Sequence, residues 1–225
     1  GGKSAAIVMD DADIDAAVAG LAAASFGNAG QICVASARIL VHASLHDRFV
    51  EALADVARER CPGGTFDAAA TVGPIVNAVQ HARIDALIDD ARDRGAQVSG
   101  EHTCAGDGYF VQPVVVSNLA SGARMASEEI FGPAVVVEAF DDLDDAIARA
   151  NATPFGLAAS IWTQRWRDAD HAGRRLQSGT IYVNCHAFAD PAVPMGGMKA
   201  SGIGIESGRE GLEGYLMTKT ILAVL

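Results

Sequence analysis

Apolar residues recur along this chain at two spacings, and the alternation between them sets out the elements. Ala5-Ala6-Ile7-Val8-Met9 is an unbroken apolar run, which predicts a strand buried on both faces. Asp13 then stands ahead of Ile14, Val18, Leu21 and Ser25, one stripe of a 3.6-residue period, so a helix capped by Asp13 is predicted. Arg38-Ile39-Leu40-Val41 reads as a strand, and Leu45 to Arg58 as a helix turning Phe49, Leu53 and Val56 inward. After a break at Cys61-Pro62-Gly63-Gly64 the pattern predicts a helix over Val79 to Arg94 and strands at Gln112–Val116 and Ala134–Ala139. A helix at Leu143–Ala150, a strand at Leu157–Trp162, a helix at Ala169–Leu176 and a strand at Thr180–Asn184 follow.

Strands alternating with helices imply an α/β fold, a largely parallel twisted sheet flanked by helices. No Pro/Gly/Ser linker is long enough to divide the chain, so residues 1–214 read as one domain. Within it, Asp190 to Gly214 is glycine-rich and reads as an ordered irregular loop. The tail from Tyr215 to Leu225 has the β-branched and apolar residues of a strand, with little charge to protect an edge.

Composition narrows the functions. At 225 residues one substantial core is expected. No apolar run approaches the roughly 20 residues that span a bilayer, and no charged-then-apolar leader follows Gly1, so a soluble protein with no membrane partner is expected. The formal charge of −11 argues against a nucleic-acid partner, whose phosphates are neutralised by Lys and Arg. Cys33, Cys61, Cys104 and Cys185 form no Cys-x-x-Cys pair, and a chain of this size does not need disulfides, which implies a reducing, cytoplasmic setting. Of six histidines only His42 and His46 share an i,i+4 spacing, and that spacing spans a strand end, so no metal site is expected.

One cysteine stands apart. In Phe26-Gly27-Asn28-Ala29-Gly30-Gln31-Ile32-Cys33 the thiol sits on a glycine-broken turn between a helix and a strand. Most free cysteines are small buried hydrophobes. Here Gly27 and Gly30 allow unusual backbone and close approach of a substrate, and Val34-Ala35-Ser36-Ala37 would give a short helical turn that stabilises a Cys33 thiolate near its N-terminal end. Two other patterns are false friends. Gly2-Lys3-Ser4 lacks the spacing and following helix of a phosphate-binding loop, and Gly202-Ile203-Gly204-Ile205-Glu206-Ser207-Gly208 lacks the preceding strand of a dinucleotide fingerprint.

The turn at Cys33 resembles the active-site signature of the aldehyde dehydrogenase superfamily: an apolar or aromatic residue, a Gly/Asn-rich turn, Gly-Gln-x-Cys, then an Arg. Three further stretches resemble the same family. Gly1-Gly2-Lys3-Ser4 matches the end of Glu-Leu-Gly-Gly-Lys-Ser, whose Glu is the general base and would lie two residues before Gly1. Glu128-Glu129-Ile130-Phe131-Gly132-Pro133 matches a segment whose second Glu binds the ribose hydroxyls beside the nicotinamide and whose Phe packs near the ring. Pro194-Met195-Gly196-Gly197-Met198-Lys199-Ala200-Ser201-Gly202-Ile203-Gly204 matches the C-terminal loop, with Met195 in place of the usual Phe and Ile205 where an Arg is frequent.

What the resemblance implies is the C-terminal, catalytic half of an NAD(P)-dependent aldehyde dehydrogenase, with the N-terminal dinucleotide-binding domain outside this chain. Cys33 is then the nucleophile, adding to an aldehyde and passing through a thioester to a carboxylic acid. Glu129 and Phe131 are cofactor-binding, and Ile32, Val34, Phe188 and Met195 line a tunnel suited to an apolar or aromatic aldehyde. The Cys33 N–H supplies half an oxyanion hole, an Asn outside the chain the other half. Without the general base, that Asn and the dinucleotide domain, the chain alone is expected to be inactive. Residues 215–225 are implied to be an oligomerisation strand of a homo-oligomer. A CoA-acylating or semialdehyde-specific relative would share the thioester, and a non-catalytic structural relative would not need Cys33, Glu129 and Phe131 together.

Overall fold

The computed structural model describes residues 1–100 and 108–224. Seven strands form the main sheet: β1 (Ser4–Val8), β2 (Ser36–His42), β3 (Gln97–Ser99), β4 (Val114–Ser117), β5 (Ala134–Phe140), β7 (Ala158–Trp162) and β8 (Thr180–Val183). A two-residue strand, β6 (Phe155–Gly156), precedes β7 outside the sheet. The spatial order is β3-β4-β5-β2-β1-β7-β8, and every neighbouring pair is parallel except β3 with β4. From β1 the chain winds to β2 on one side and later returns to β7 on the other, so β1 marks the switch point of a doubly wound sheet.

The central strands are buried on both faces, which explains their unbroken apolar runs. Ala6 and Val8 of β1 join Ile39, Val41, Val135 and Val137 in one core with α1 (Ile14–Phe26) and α2 (His46–Glu59). Ala5 and Ile7 point the other way, with Leu40, to α5 (Leu143–Asn151) and α6 (Trp166–Arg175). Val114, Val116 and Val136 carry α3 (Ala78–Asp93) on that same second face. Asp13 does cap α1, its carboxylate accepting from the Ala16 N–H.

The differences from expectation have local causes. β3 is three residues long and half-exposed, with no periodicity to read. The short helices α4 (Arg124–Ser127) and α7 (Gly208–Glu213) are likewise below the length at which a period is visible. α6 begins at Trp166 rather than Ala169, because its first turn is exposed and only Ala169 and Ala172 face the core. Val34 to Ala37 forms no helical turn: Ser36 already pairs with Ser4 of β1. The loop from 190 holds short pairings, β9 (Met195–Gly196) with β11 (Ile205–Glu206) and β10 (Met198–Lys199) with β6. Tyr215 to Val224 is exposed and joins no strand among the described residues, while Leu225 and Cys104 lie outside them.

Candidate functional site

Four segments meet at the amino edge of the sheet: Gly1-Gly2 ahead of β1, the turn ahead of β2, residues 128–132 ahead of β5, and the C-terminal loop. Helix α1 ends at Phe26, and Asn28, Ala29 and Gly30 then take left-handed backbone (φ 50°, 53° and 68°). That reverses the chain within four residues. Gly30 is required by contact as well as by φ, because a Cβ there would stand 2.1 Å from the Gly132 carbonyl oxygen. The cysteine turn and the Phe131 loop therefore touch backbone to backbone.

Gln31 anchors this reversal. Its side-chain oxygen accepts the Val76 N–H (2.9 Å) and its nitrogen donates to the Pro74 carbonyl (3.3 Å), so the Gln of the Gly-Gln-x-Cys pattern ties the turn to a segment 43 residues away. The Ala35 N–H then donates to the Ile32 carbonyl (3.0 Å), which puts Cys33 and Val34 on the corner of a β-turn. Cys33 is exposed, and its own N–H has no partner among the described residues. With a β-turn in place of a helical one, no helix N-terminus stabilises the thiolate.

Glu129 stands beside Cys33 through Gly2. Glu129 Oε1 accepts the Gly2 N–H at 2.8 Å, and a Cβ on Gly2 would lie 2.4 Å from the Cys33 carbonyl oxygen, so only glycine fits between them. Glu129 Oε2 has no hydrogen-bond partner among the described residues. Its neighbour Glu128 is spent elsewhere: Arg124 clasps it with two hydrogen bonds (2.8 and 3.1 Å) and holds its carboxyl below the usual range. From α3, Arg83 donates to the Glu129 carbonyl (2.6 Å) and Gln80 to the Ile130 and Phe131 carbonyls (2.9 and 3.0 Å). These bonds hold Phe131 in its left-handed conformation, φ 52°. Sequence reasoning missed Gln80 and Arg83, which read only as polar positions on a helix. A void of about 10 Å³ between Gly2, Ile32, Glu129 and Phe131 has room for one water.

The four tunnel residues divide. Val34 is buried against Ala158 and Tyr182, and Ile32 and Met195 pack on the same cluster. Phe188 is not in that cluster. It is exposed and lines, with Met195, Tyr182 and Pro191, a mostly apolar groove of about 400 Å³. Met195 and Tyr182 therefore join the two. Burial, and then the nearby thiols of Cys185 and Cys33, raise the Tyr182 phenol above its usual value.

The false friends resolve simply. Lys3 enters a strand, not a helix, and is buried with no hydrogen-bond partner for Nζ among the described residues; burial lowers it to about 7. Gly202 to Gly208 forms β11 and the start of α7. Cys61 and Cys185 are exposed, like Cys33. Among the described residues no three His, Cys, Asp or Glu side chains gather as metal ligands, and no helix is long and apolar enough to cross a membrane.

A doubly wound α/β domain that presents a thiol beside a glycine-spaced carboxylate defines the class, and comparison with known proteins gives the family. Residues 1–221 match the model of the aldehyde dehydrogenase family, and the chain belongs to that family. It is 40% identical over 222 residues to the cytosolic aldehyde dehydrogenase 1 of Rattus norvegicus, covering 98% of this chain and 44% of that protein. It is also 40% identical to the mitochondrial benzaldehyde dehydrogenase of Antirrhinum majus, covering all of this chain and 42% of the relative. The crystal structure of betaine aldehyde dehydrogenase from Staphylococcus aureus in complex with NAD+ superposes with a TM-score of 0.92 at 37% identity, over 97% of this chain and 44% of that one. The chain thus spans less than half the length of these relatives.

Proposed function

We propose that this chain is the thiol-bearing catalytic part of an NAD(P)-dependent aldehyde dehydrogenase, with Cys33 as nucleophile. The observation that carries the reading is the position of Gly2, whose backbone touches the Cys33 carbonyl and the Glu129 carboxylate at once. The Cys33 thiolate attacks the aldehyde carbon, forming a C–S bond and an oxyanion to which the Cys33 N–H, without a partner among the described residues, is available as donor. A nicotinamide dinucleotide, when bound, supplies the hydride acceptor. Glu129 fits its ribose, since Oε2 remains open to accept from hydroxyls, and Phe131 offers an apolar ring at the same loop. The resulting Cys33 thioester is cleaved by water, which restores the thiol and releases the carboxylic acid. The general base, the second oxyanion donor and most of the dinucleotide contacts belong to the length that the relatives have and this chain does not span. By itself the chain neither oxidises aldehydes nor holds the cofactor.

Ile32 and Met195 over Val34, with Phe188 in the adjoining groove, favour an apolar or aromatic aldehyde. The relative from Antirrhinum majus is named for one such substrate. The setting is cytoplasmic. Cys33→Ala in the full-length parent, assayed against aromatic, aliphatic and quaternary-ammonium aldehydes, should lower kcat at least ~10⁴-fold for all. A Cys33→Ala enzyme with near-normal turnover, or a parent with no aldehyde activity, would remove the reading.

The tail supplies the oligomer contact. Tyr215, Met217, Leu222 and Val224 are each at least 90% exposed and in no strand pairing among the described residues, which is the state of a strand awaiting an edge. Light scattering should find the chain as a dimer or larger, and a form ending at Gly214 as a monomer; a monomeric intact chain excludes this contact.

A further inference from the structure

The cysteine turn is tied to the sheet by a line of hydrogen bonds whose direction is fixed at both ends. Trp162 Nε1–H, a donor only, reaches Ser160 Oγ at 3.3 Å within β7. Ser160 Oγ lies 2.8 Å from His186 Nδ1, and His186 Nε2 lies 2.8 Å from the Val34 carbonyl oxygen, an acceptor only. Nε2 must therefore carry the imidazole proton, and Nδ1 accepts from the Ser160 hydroxyl. Burial of the ring, opposed by the bond to Val34, lowers His186 to about 4, which keeps this neutral tautomer at physiological pH.

The neighbouring backbone shows why that bond matters. In the turn, the Ile32 carbonyl is taken by the Ala35 N–H, and Gly2 abuts the Cys33 carbonyl. The Val34 carbonyl comes before β2 begins its pairing at Ser36, so the sheet gives it no partner. The loop after β8 comes back to supply one: Asn184 and Ala187 both take left-handed backbone (φ 52° and 56°), turning residue 186 onto the β7 face. The Tyr182 ring, 5.4 Å away centre to centre and tilted 43°, closes the other side of the imidazole.

We infer that His186 is a positioning residue for Cys33, holding the nucleophile's turn at the Val34 carbonyl and coupling it to the C-terminal loop that carries Phe188 and Met195. The assignment rests on the reading of Cys33 as nucleophile for its meaning, though not for its geometry.

Hydrogen–deuterium exchange at the Ala35 amide, which closes the turn, tests it on the chain itself. His186→Phe keeps a ring against Tyr182 but strands the Val34 carbonyl, and should speed Ala35 exchange about 10-fold while amides of β2 beyond Ile39 stay unchanged. His186→Gln places an amide nitrogen near the Nε2 position and should bring the rate back to within about 2-fold of the unaltered chain. An unchanged rate in His186→Phe, or equal acceleration in both variants, overturns the assignment. Should His186→Phe not fold, Ser160→Ala removes the Nδ1 partner together with the acceptor of the Trp162 indole, leaves the Nε2 bond to Val34 in reach, and should give about a 3-fold effect; no effect there overturns it equally. Pulsed iodoacetamide on the same samples should change Cys33 labelling by about 3-fold in His186→Phe, with Cys61 as the unaffected reference. If Cys33 does not outpace Cys61 in the unaltered chain, the nucleophile reading fails, and the exchange rates alone then decide the tether.

Discussion

At the carboxyl edge of β1, β7 and β8 the loops are bonded to one another, whereas at the amino edge, around the starts of β1, β2 and β5, polar groups are left open. On the carboxyl side Asp11 accepts from Thr163 Oγ1 (2.8 Å) and the Gln164 N–H (3.0 Å), and the Asn184 side chain both accepts from and donates to the Thr163 backbone (2.9 Å each way). Arg165 joins Asp10 and Asp168 there, and their hydrogen bonds hold its guanidinium protonated. On the amino side the Cys33 N–H, Glu129 Oε2 and Lys3 Nζ have no partner among the described residues. Ligands of open α/β sheets usually sit outside the carboxyl ends at the switch point. In this chain the loops at that edge are bonded to one another, and groups with unused bonding capacity lie at the other edge. Satisfied networks stabilise; unsatisfied ones are kept where a substrate or another part of the protein completes them.

The largest break in this comparison should come from Gly30→Ala. The new methyl meets the Gly132 carbonyl oxygen at 2.1 Å in a left-handed backbone, a cost of about 3 kcal/mol or more, which the chain relieves by opening the amino edge. Hydrogen exchange should then rise over residues 27–34 and 129–133, while the Thr163 and Gln164 amides keep their protection. Equal loss at both edges would mean the two are one cooperative unit.

Lys3→Met should act in the opposite direction. Burial lowers the pKa of the amine to about 7 when folded, against 10.5 for an exposed lysine, so the unfolded chain binds more protons between those limits and stability rises with pH across that window. Methionine fills similar space without the charge, and should raise stability near pH 7 by on the order of 3 kcal/mol and flatten the slope from pH 7 to 10.5. Urea denaturation at three pH values in that window reads both. A destabilised variant with the slope intact would show that Lys3 has found a partner.

How far the sequence reached follows the same divide. The parallel core was legible because β1, β2, β5 and β7 are buried on both faces and declare it in unbroken apolar runs. The Asp13 cap was legible because its acceptor acts three residues away. The expected helical turn after Cys33 was not met, since pairing of Ser36 with Ser4 claims that segment for the sheet, a contact between residues 32 apart in sequence. Cys33, Glu129 and Phe131 could be singled out by resemblance, and the fold brings the first two together through Gly2. His186 and Gln31 could not be assigned their roles, because their partners lie 152 and 45 residues away and no local pattern announces them. Phe188 and Val34 were placed together through the resemblance; Val34 is buried with Ala158 and Tyr182, while Phe188 lines the exposed groove that shares Met195 and Tyr182 with that cluster.

If the open amino edge makes Cys33 the reactive thiol, brief substoichiometric iodoacetamide treatment followed by mass-spectrometric mapping will show it. Cys61 and Cys185 are exposed as well, so exposure alone would spread the label among them. The account predicts that Cys33 carries most of the carbamidomethyl groups at the earliest time points, at least ~5-fold over each of the others. Preferential labelling of Cys61, Cys104 or Cys185, or labelling shared equally among the four, would contradict it.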